Sequence, residues 1–507
     1  MTGFRASLAG TPRAGGLPAG RSFARADALL LALLLALGLA IRVWIALVFP
    51  AIDHPDEIYQ ATEQAHRLVF GYGVVPWEFR IGARNWLLPG FLAALLAPAA
   101  RLWPAPQDYL AALAVALGAL SLLSVWAAYE IGRRFSRIHG LAAGFAAAVW
   151  FELAYFGVRP LSESVATNFL LVAVALLTGE ARTRTRLFWG GVALGAAFVF
   201  RFHLAPVLAI VGLAAGRRDW RGGWLPMMLG AALPVACLGI VDTATWGQPF
   251  GSILTNFTVN AFGGRASAYG TSPALWYLTL LNTRWGLVLA VMAPLIGFGA
   301  ARKPLLLVVA VVIIAGHSFI PHKEYRFIVP AIACLVVLAG LGIGEAVSQL
   351  GERLKGVRGG GLVLPGALLL FALASGTLAQ SFSGQARLTV GRNWLDAFAA
   401  LHADPDLCGL AVTGGYWVMM PGYSGLHRPV PIYFWERLVE TGQTGAANTI
   451  VSGDRNDGPP PDPAFSTKTC FQHPGSPWPT VCVYRRLGAC AVAPGLDINA
   501  ELARRGE

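Results

Sequence analysis

Apolar runs close to the length of a membrane-spanning helix recur along this chain and alternate with short polar loops. A helix needs about 20 mostly apolar residues to cross the hydrocarbon core of a bilayer. The first run, 28–48, exceeds the about 7–15 residues of a signal-peptide core, so it predicts a transmembrane helix whose N-terminus is cytoplasmic. Further spans are predicted at residues 109–131, 139–157, 163–179, 187–203, 204–216, 224–243, 274–298, 304–320, 327–348 and 362–382.

Clusters of arginine and lysine between these spans set the predicted orientation. Cytoplasmic loops of membrane proteins carry an excess of these residues. If each span crosses once, one face receives the clusters at 133–137, 182–186, 217–221, 302–303 and 353–358. The opposite, outer face then receives the loops at 50–86, 158–163, 244–273 and 321–326 and the tail from residue 383.

Two segments fit this topology less simply. Residues 87–103 are apolar enough to cross, but a crossing there would move every later loop to the wrong face. We therefore predict a re-entrant or interfacial element at the outer face. The span at 204–216 is short, which indicates local thinning of the bilayer or helix tilt.

The predicted fold class is an all-α polytopic membrane protein with a small mixed α/β extracytoplasmic domain. We expect a flexible cytoplasmic segment at 1–27 and a transmembrane core of about 11 crossings at 28–382. Residues 50–107 form the first outer loop with interfacial helices, and residues 383–507 form the C-terminal domain. Short β-favouring stretches between Gly, Pro and Asn turn signals predict the strands of that domain.

Composition agrees with a membrane protein. Of 507 residues, 55% are hydrophobic and only 13% are charged, whereas soluble domains carry about 25% charged residues. The net charge of +12 arises from loop clusters, which excludes a nucleic-acid-binding surface. Four cysteines of the tail have three possible disulfide pairings, and the sequence does not choose among them: Cys408, Cys470, Cys482 and Cys490.

Candidate chemistry begins directly after the first span, where the outer loop reads Asp53-His54-Pro55-Asp56-Glu57. Transfer of a sugar to a hydroxyl group requires a base at the membrane surface, and a carboxylate can serve. The alternative is structural, because acidic residues also favour the first turn of a helix. The next helix carries Glu63 and is followed by Trp77 and Glu78, which suit either sugar contact or interfacial anchoring.

A second cluster, His322-Lys323-Glu324-Tyr325-Arg326-Phe327, lies between two apolar spans at the predicted outer face. Basic residues there oppose the positive-inside bias, and a lipid phosphate would explain them. In the structural alternative, Lys323 and Arg326 extend their charged ends to the membrane surface and pair with Glu324. Further ionisable or aromatic candidates at outer helix ends and loops are Arg159, Glu163, Arg201 and Tyr269.

These segments resemble the mannosyltransferases of glycosyltransferase family 22, which use dolichyl-phosphate mannose. His54-Pro55-Asp56-Glu57, with Gln60, Glu63 and Trp77-Glu78, is similar to the family's first lumenal loop. The stretch 322–327 closely matches its HKE signature. Residues 159–163 resemble another of its segments, although Pro160 and Glu163 depart from that pattern.

The resemblance implies a GT-C transmembrane core and inverting transfer of mannose, or a related hexose, from a polyprenyl phosphate to a glycan or glycolipid. It implies Asp56 as the base, with Glu57 as the second candidate, and no metal or cofactor. Donor phosphate would be bound by His322, Lys323 and Arg326. Substrate would contact His54, Gln60, Glu63, Trp77, Glu78, Arg159, Glu163, Arg201, Tyr269 and Glu324.

The Ala-, Gly- and Arg-rich composition indicates a bacterial inner membrane, with the site on the periplasmic side. Two alternatives stay open. A transporter or flippase would carry charges near the bilayer midplane and show inverted repeats. An oligosaccharide ligase would use a lipid-pyrophosphate donor.

Overall fold

The structure is a computed structural model that describes residues 21–179, 182–216, 219–353, 360–453, 462–474 and 476–506. Most of the predicted N-terminal segment, Arg217, Arg218, Lys355 and Arg358 lie outside these residues.

All of the eleven predicted spans are helical. The helices that coincide with them are α1 (Arg21–Val48), α6 (Pro106–Gly132), α7 (Arg137–Val149), α8 (Phe151–Gly157), α9 (Ser162–Leu177), α10 (Arg184–Phe200), α11 (Ala205–Gly216), α12 (Leu225–Trp246), α15 (Trp276–Trp285), α16 (Val288–Arg302), α17 (Pro304–Ser318), α18 (Val329–Arg353) and α19 (Val363–Gln380). Within the described residues, five helices are long and apolar enough to cross a membrane, or up to seven if α7–α8 and α15–α16, which bend by 59° and 113°, each count as one span.

The first outer loop folds into α2 (Pro55–Glu57), α3 (Glu63–Phe70), α4 (Trp77–Arg80) and α5 (Leu87–Leu102), with a π-helical turn at Ile58–Thr62. The loop after α12 carries α13 (Gly251–Phe257) and α14 (Arg265–Ala268). The 16 residues of α5 rise about 24 Å, less than the roughly 30 Å of a hydrocarbon core.

Helix α18 runs through the centre of the bundle and packs against α7, α9, α16, α17 and α19. Close approach needs glycine: a Cβ at Gly342 would lie 2.0 Å from the carbonyl oxygen of Leu295 in α16. Arg326, just before α18, lies 19 residues from Glu345, which corresponds to about 28 Å of helix. Glu345 pairs with Arg302 at 2.7 Å and with His139 at 3.4 Å. The basic loops therefore gather at the end of the bundle opposite Arg326.

The C-terminal region is mixed, as predicted. Its elements are α20 (Phe382–Thr389), α21 (Arg392–His402), β1 (Leu410–Thr413), α22 (Gly422–Leu426), β2 (Ile432–Phe434), α23 (Trp435–Glu440), β3 (Thr449–Ser452), β4 (Thr467–Phe471), β5 (Val481–Arg485) and α24 (Ile498–Arg505). The strand order is β2-β1-β3-β5-β4. Strand β1 is parallel to both neighbours, whereas β5 is antiparallel to β3 and β4.

Two disulfides join the four cysteines of this region. Cys470 and Cys482 face each other across β4 and β5, and Cys408 pairs with Cys490. The sheet register therefore selects one of the three pairings that the sequence left open.

The C-terminal region shares a hydrophobic core with the first outer loop. Ile52, Ile58 and Val74 from the loop pack with Phe398 and Phe434, among others. The bundle thus carries a cap built from both ends of the chain, and this cap covers the end of the bundle at which Arg326 lies.

Candidate functional site

The two motif segments, 270 residues apart in sequence, meet at one point. Arg326 Nη2 donates a hydrogen bond to Asp56 Oδ2 at 2.6 Å. Asp56 occupies the first turn of α2, whose start is fixed by Pro55 and by the His54 side chain, which accepts from the Asp56 backbone N–H at 3.2 Å. His54 therefore caps the helix, and the Asp56 carboxylate is left to face Arg326.

Three carboxylates surround the guanidinium of Arg326. Besides Asp56, Glu324 accepts from Arg326 Nε, and Glu163 Oε1 lies 3.1 Å from Arg326 Nη1. Glu163 Oε1 also lies 3.1 Å from Arg201 Nη1, so this carboxylate joins two arginines. Arg326, Glu163 and Arg201 are all buried. Such a network fixes side chains strongly, because a buried charge needs partners.

The histidines of both motifs join this network. His54 Nδ1 lies 3.4 Å from Asp56 Oδ1, and its Nε2 lies 3.1 Å from Glu324 Oε2. His322 Nε2 lies 2.7 Å from Glu324 Oε1. Burial and Arg326 oppose protonation of His54, but the carboxylates of Asp56 and Glu324 outweigh them and raise the pKa of His54.

Asp56 and Glu324 are held in their ionised forms. Burial opposes ionisation of Asp56, but Arg326, helped by His54, outweighs it and holds the pKa of the Asp56 carboxyl well below its usual range. In Glu324 burial is likewise outweighed by Arg326, with the hydrogen bond to His322, and the pKa falls to about 2. Asp56 therefore presents a carboxylate at neutral pH.

Asp56 borders an open cavity of about 430 Å³. The residues that line the cavity are Asp56, Gln60, Ala61, Arg84, Asn85, Leu88, Pro89, Pro160, Leu161, Ser162, Phe200 and Arg326. A second cavity of about 310 Å³ shares Arg84, Asn85 and Phe200 with the first and adds Arg201, His203 and Asn256. The two cavities are neighbours that meet at Arg84, Asn85 and Phe200.

Glu57, the second candidate base, does not line this cavity. Its side chain is buried, and Oε1 accepts the Asp53 backbone N–H at 3.1 Å. Burial raises the pKa of Glu57 to about 8, so the group is largely protonated at neutral pH. Of the acidic pair, only Asp56 combines ionisation with access to the cavity.

Lys323, predicted to bind the donor phosphate directly, hydrogen-bonds to backbone carbonyl groups, and its contact with phosphate stays a prediction. Its Nζ donates to the carbonyl oxygens of Ser272 at 2.9 Å and Ile320 at 2.7 Å, and the side chain is buried. These bonds tie two outer loops together and occupy the ammonium group. His322 also bridges to the neighbouring loop, through the Gly270 carbonyl oxygen at 3.2 Å.

Glu63 lines neither cavity, and its role as a substrate contact stays a prediction. Its buried carboxylate accepts backbone N–H groups from Val74 at 2.7 Å, Tyr423 at 2.9 Å and Ser424 at 2.8 Å. Glu63 therefore links the first outer loop to the C-terminal region through backbone N–H groups of both segments.

The remaining predicted contacts divide between the cavity and its surroundings. Gln60 lines the cavity, and its amide donates to Glu78 at 2.8 Å. Trp77 is covered by Arg265, whose Cζ lies 4.0 Å from the ring centre. Arg159 donates to the Ala51 carbonyl oxygen. Tyr269 is exposed, with its ring 5.9 Å from that of His322. The structure therefore gathers Asp56, Gln60 and Arg326 at the cavity itself.

Arg84 is the cavity residue that the sequence analysis missed. It borders both cavities, and it donates no hydrogen bond to any residue that the structure describes. A basic residue in an outer loop opposes the positive-inside bias, and that signal was available for Arg84 as it was for Lys323. In the described part of the chain, no three His, Cys, Asp or Glu side chains group as a metal site; chemistry without a metal or cofactor stays a prediction.

Comparison with known proteins finds a matching family, related sequences and a similar solved fold. The sequence profile of the Alg9-like mannosyltransferase family matches residues 33–406. GPI mannosyltransferase 3 of Yarrowia lipolytica is 28% identical over 78% of this chain and 75% of that protein. GPI mannosyltransferase 3 of Drosophila melanogaster is 26% identical over 59% of this chain and 54% of that protein. The solved structure of ArnT from Cupriavidus metallidurans bound to undecaprenyl phosphate superposes with a TM-score of 0.58 at 12% identity, covering 91% of this chain and 99% of that one.

Proposed function

This chain belongs to the Alg9-like mannosyltransferase family, and from that premise we propose that it transfers mannose from a polyprenyl phosphate to a glycan or glycolipid. The resemblance to glycosyltransferase family 22 and the GT-C fold class are thereby confirmed. The protein is a multi-pass membrane glycosyltransferase that uses a lipid-linked donor. The sugar, the acceptor, the base and the face of the membrane belong to the proposal.

One observation carries the proposal: the Asp56 carboxylate opens onto a cavity at the end of the bundle opposite the basic loops. Under the positive-inside bias, that end faces the periplasm of a bacterial inner membrane. Leu88 and Pro89 of α5 and Phe200 of α10 give the cavity an apolar side, along which a prenyl chain can extend into the bilayer while its phosphate reaches the site.

The chemistry follows from the position of Asp56. As the acceptor oxygen attacks the anomeric carbon, its proton passes to the Asp56 carboxylate. The bond from the anomeric carbon to the phosphate oxygen breaks on the opposite side, so the configuration inverts and polyprenyl phosphate leaves. Positioning and electrostatic stabilisation of the phosphate supply most of the catalysis, because phosphate is already a good leaving group.

We assign donor phosphate to the boundary of the two cavities, beside Arg84, Arg201 and Arg326. Arg84 offers donors that no described residue occupies, and guanidinium groups bind phosphate with two parallel hydrogen bonds. A phosphate beside Arg326 would also compete with Asp56 for that arginine and raise the basicity of the carboxylate. His322 and Lys323 would support this arrangement through the loops that they hold.

Purified full-length protein in nanodiscs tests the proposal, with membranes from cells lacking the gene as the acceptor source. We expect transfer of radiolabelled mannose from polyprenyl-phosphate mannose, and a product whose anomeric configuration, read by NMR, is opposite to that of the donor. Transfer only from a lipid-pyrophosphate glycan would instead identify a ligase. Movement of lipid across the bilayer without any sugar transfer would identify a transporter.

A further inference from the structure

A second group of arginines lies on the other side of Tyr325 from Asp56. Arg284 Cζ lies 4.2 Å and Arg387 Cζ 4.8 Å from the centre of the Tyr325 ring. Arg159 Cζ lies 4.4 Å from the ring centre of Tyr155. Tyr325 and Arg326 are adjacent in sequence, yet Tyr325 donates its hydroxyl to Glu152 whereas Arg326 reaches Asp56. This cluster is therefore separate from the cavity of Asp56.

The cluster has more hydrogen-bond donors than acceptors. The Nε atoms of Arg159, Arg284 and Arg387 are buried and have no partner among the described residues. The Arg284 side chain donates no hydrogen bond to any part of the chain that the structure describes, and it contacts the face of Tyr325. Unsatisfied buried donors are costly, so their presence together indicates a missing acceptor.

The charges of the cluster do not balance. Arg387 pairs with Asp53 at 2.7 Å. The other acid, Glu152, accepts from Trp150 at 3.2 Å, from Trp285 at 3.0 Å and from Tyr325, and so is occupied by neutral donors.

Glu57 lies on the same loop as Asp53, and burial raises its pKa to about 8. It therefore adds little negative charge at neutral pH. Three guanidinium groups thus face two carboxylates, and a buried excess of positive charge favours an anion.

The surroundings of Arg284 indicate what kind of anion. Arg284 is half-buried in the last turn of α15, directly before the 113° bend into α16. Helices α16 and α19 both pack on α18. Below the level of Arg284 they present exposed apolar side chains, including Val291 on α16 and Leu370 and Leu373 on α19. A cation above an apolar helix surface suits a phosphate headgroup whose chains run down the bilayer.

We propose that Arg284 and Arg387 bind the phosphodiester headgroup of an anionic phospholipid in the outer leaflet. That this lipid is distinct from the donor rests on the proposed function, because donor phosphate must lie next to the anomeric carbon beside Asp56. The bound lipid would hold Arg387, and through its ion pair with Asp53 the loop that carries Asp56.

Native mass spectrometry of the full-length protein tests this assignment without requiring turnover. Delipidated protein is titrated with phosphatidylglycerol, with polyprenyl phosphate, or with diacylglycerol, which has no phosphate. We expect Arg284→Gln to weaken phosphatidylglycerol binding about tenfold, as loss of a charge-assisted hydrogen bond does. Arg284→Lys should retain most of the binding, and diacylglycerol should bind wild type and variants equally weakly.

Arg101→Gln is the matched control, because Arg101 is an exposed arginine of α5 whose side chain has no hydrogen bond to a described residue. It should bind phosphatidylglycerol as wild type does. Equal affinity of Arg284→Gln and wild type for phosphatidylglycerol would overturn the proposal. So would a loss that also affects polyprenyl phosphate, since the site would then belong to the donor. Asp56→Asn should keep phosphatidylglycerol binding, which separates this test from that of the proposed function.

Discussion

Replacing Glu163 by glutamine should lower both stability and turnover, although Glu163 lines neither cavity. Its carboxylate oxygen lies 3.1 Å from Arg201 Nη1 and 3.1 Å from Arg326 Nη1, and its side chain is 1% exposed. The substitution keeps the shape of the side chain and removes the charge. Two buried guanidinium groups would then share a neutral partner, and Arg326 would lose one of the two other carboxylates that hold it beside Asp56.

The distances give the expected size of the effect. At an effective dielectric constant of about 20, one such pair is worth roughly 5 kcal/mol before desolvation is counted. Breaking a buried pair by removing one partner costs about 3–5 kcal/mol. Glutamine keeps one oxygen as an acceptor, so we expect about 3 kcal/mol. With an unfolding entropy of about 2 cal/mol/K per residue and 507 residues, the Tm falls by about 3 °C.

The assay is a thermal melt together with steady-state transfer from polyprenyl-phosphate mannose. Because a small displacement of a catalytic group is costly, kcat should fall about tenfold to a hundredfold. Asp404→Asn is the control: Asp404 is 5% exposed and pairs with Arg485 at 2.7 Å in the C-terminal region. That variant should lose stability and keep its kcat. A Glu163→Gln protein with wild-type Tm and kcat would refute the reasoning.

Three further substitutions test separate parts of the account. The pKa of Glu57 in the folded protein, about 8, exceeds its ordinary value of 4.5. The stability that comes from keeping Glu57 protonated is therefore fully present below pH 4.5 and is lost as the pH rises through 8. Glu57→Gln should flatten the fall of Tm between pH 5 and 9. Glu63→Gln leaves one oxygen for three backbone donors, and we expect about 2 kcal/mol less stability and faster amide hydrogen exchange at 421–427. Arg84→Gln should raise the KM for the donor about tenfold with an unchanged Tm, because no described residue depends on Arg84 as a partner.

The helices at the predicted spans were predictable because hydrophobic runs and loop charges are independent signals that agree; the number of crossings stays a prediction. What the sequence did not indicate are the breaks within spans, between α7 and α8 and between α15 and α16. These depend on packing around Trp150 and Trp285, whose rings lie 5.4 Å apart. Residues 87–103 form α5, whose two ends both lie near the cap: Leu88 lines the cavity, and Tyr109, just beyond, bonds Ser424. An interfacial or re-entrant position for α5 stays a prediction.

The predicted topology places both Asp56 and Arg326 at the outer ends of spans, so their proximity in the site could be expected from the sequence. Side-chain directions did not follow. Lys323 turns to backbone carbonyl groups and Glu63 to backbone N–H groups, because each satisfies a polar group that loop packing would otherwise bury. The charge of Lys323 or Glu63 does not indicate which hydrogen-bond partner the tertiary structure will supply. The disulfide pairing was inaccessible for the same reason, because it depends on strand register.

The central claim is that Asp56 accepts the acceptor proton. Its most direct test is the single-turnover rate of Asp56→Asn in nanodiscs, with donor binding measured on the same preparation. The account predicts retained binding of polyprenyl-phosphate mannose and a rate lowered about a thousandfold or more, within the range that general-base catalysis supplies. Transfer by Asp56→Asn at a rate within about tenfold of wild type, at equal donor occupancy, would contradict it.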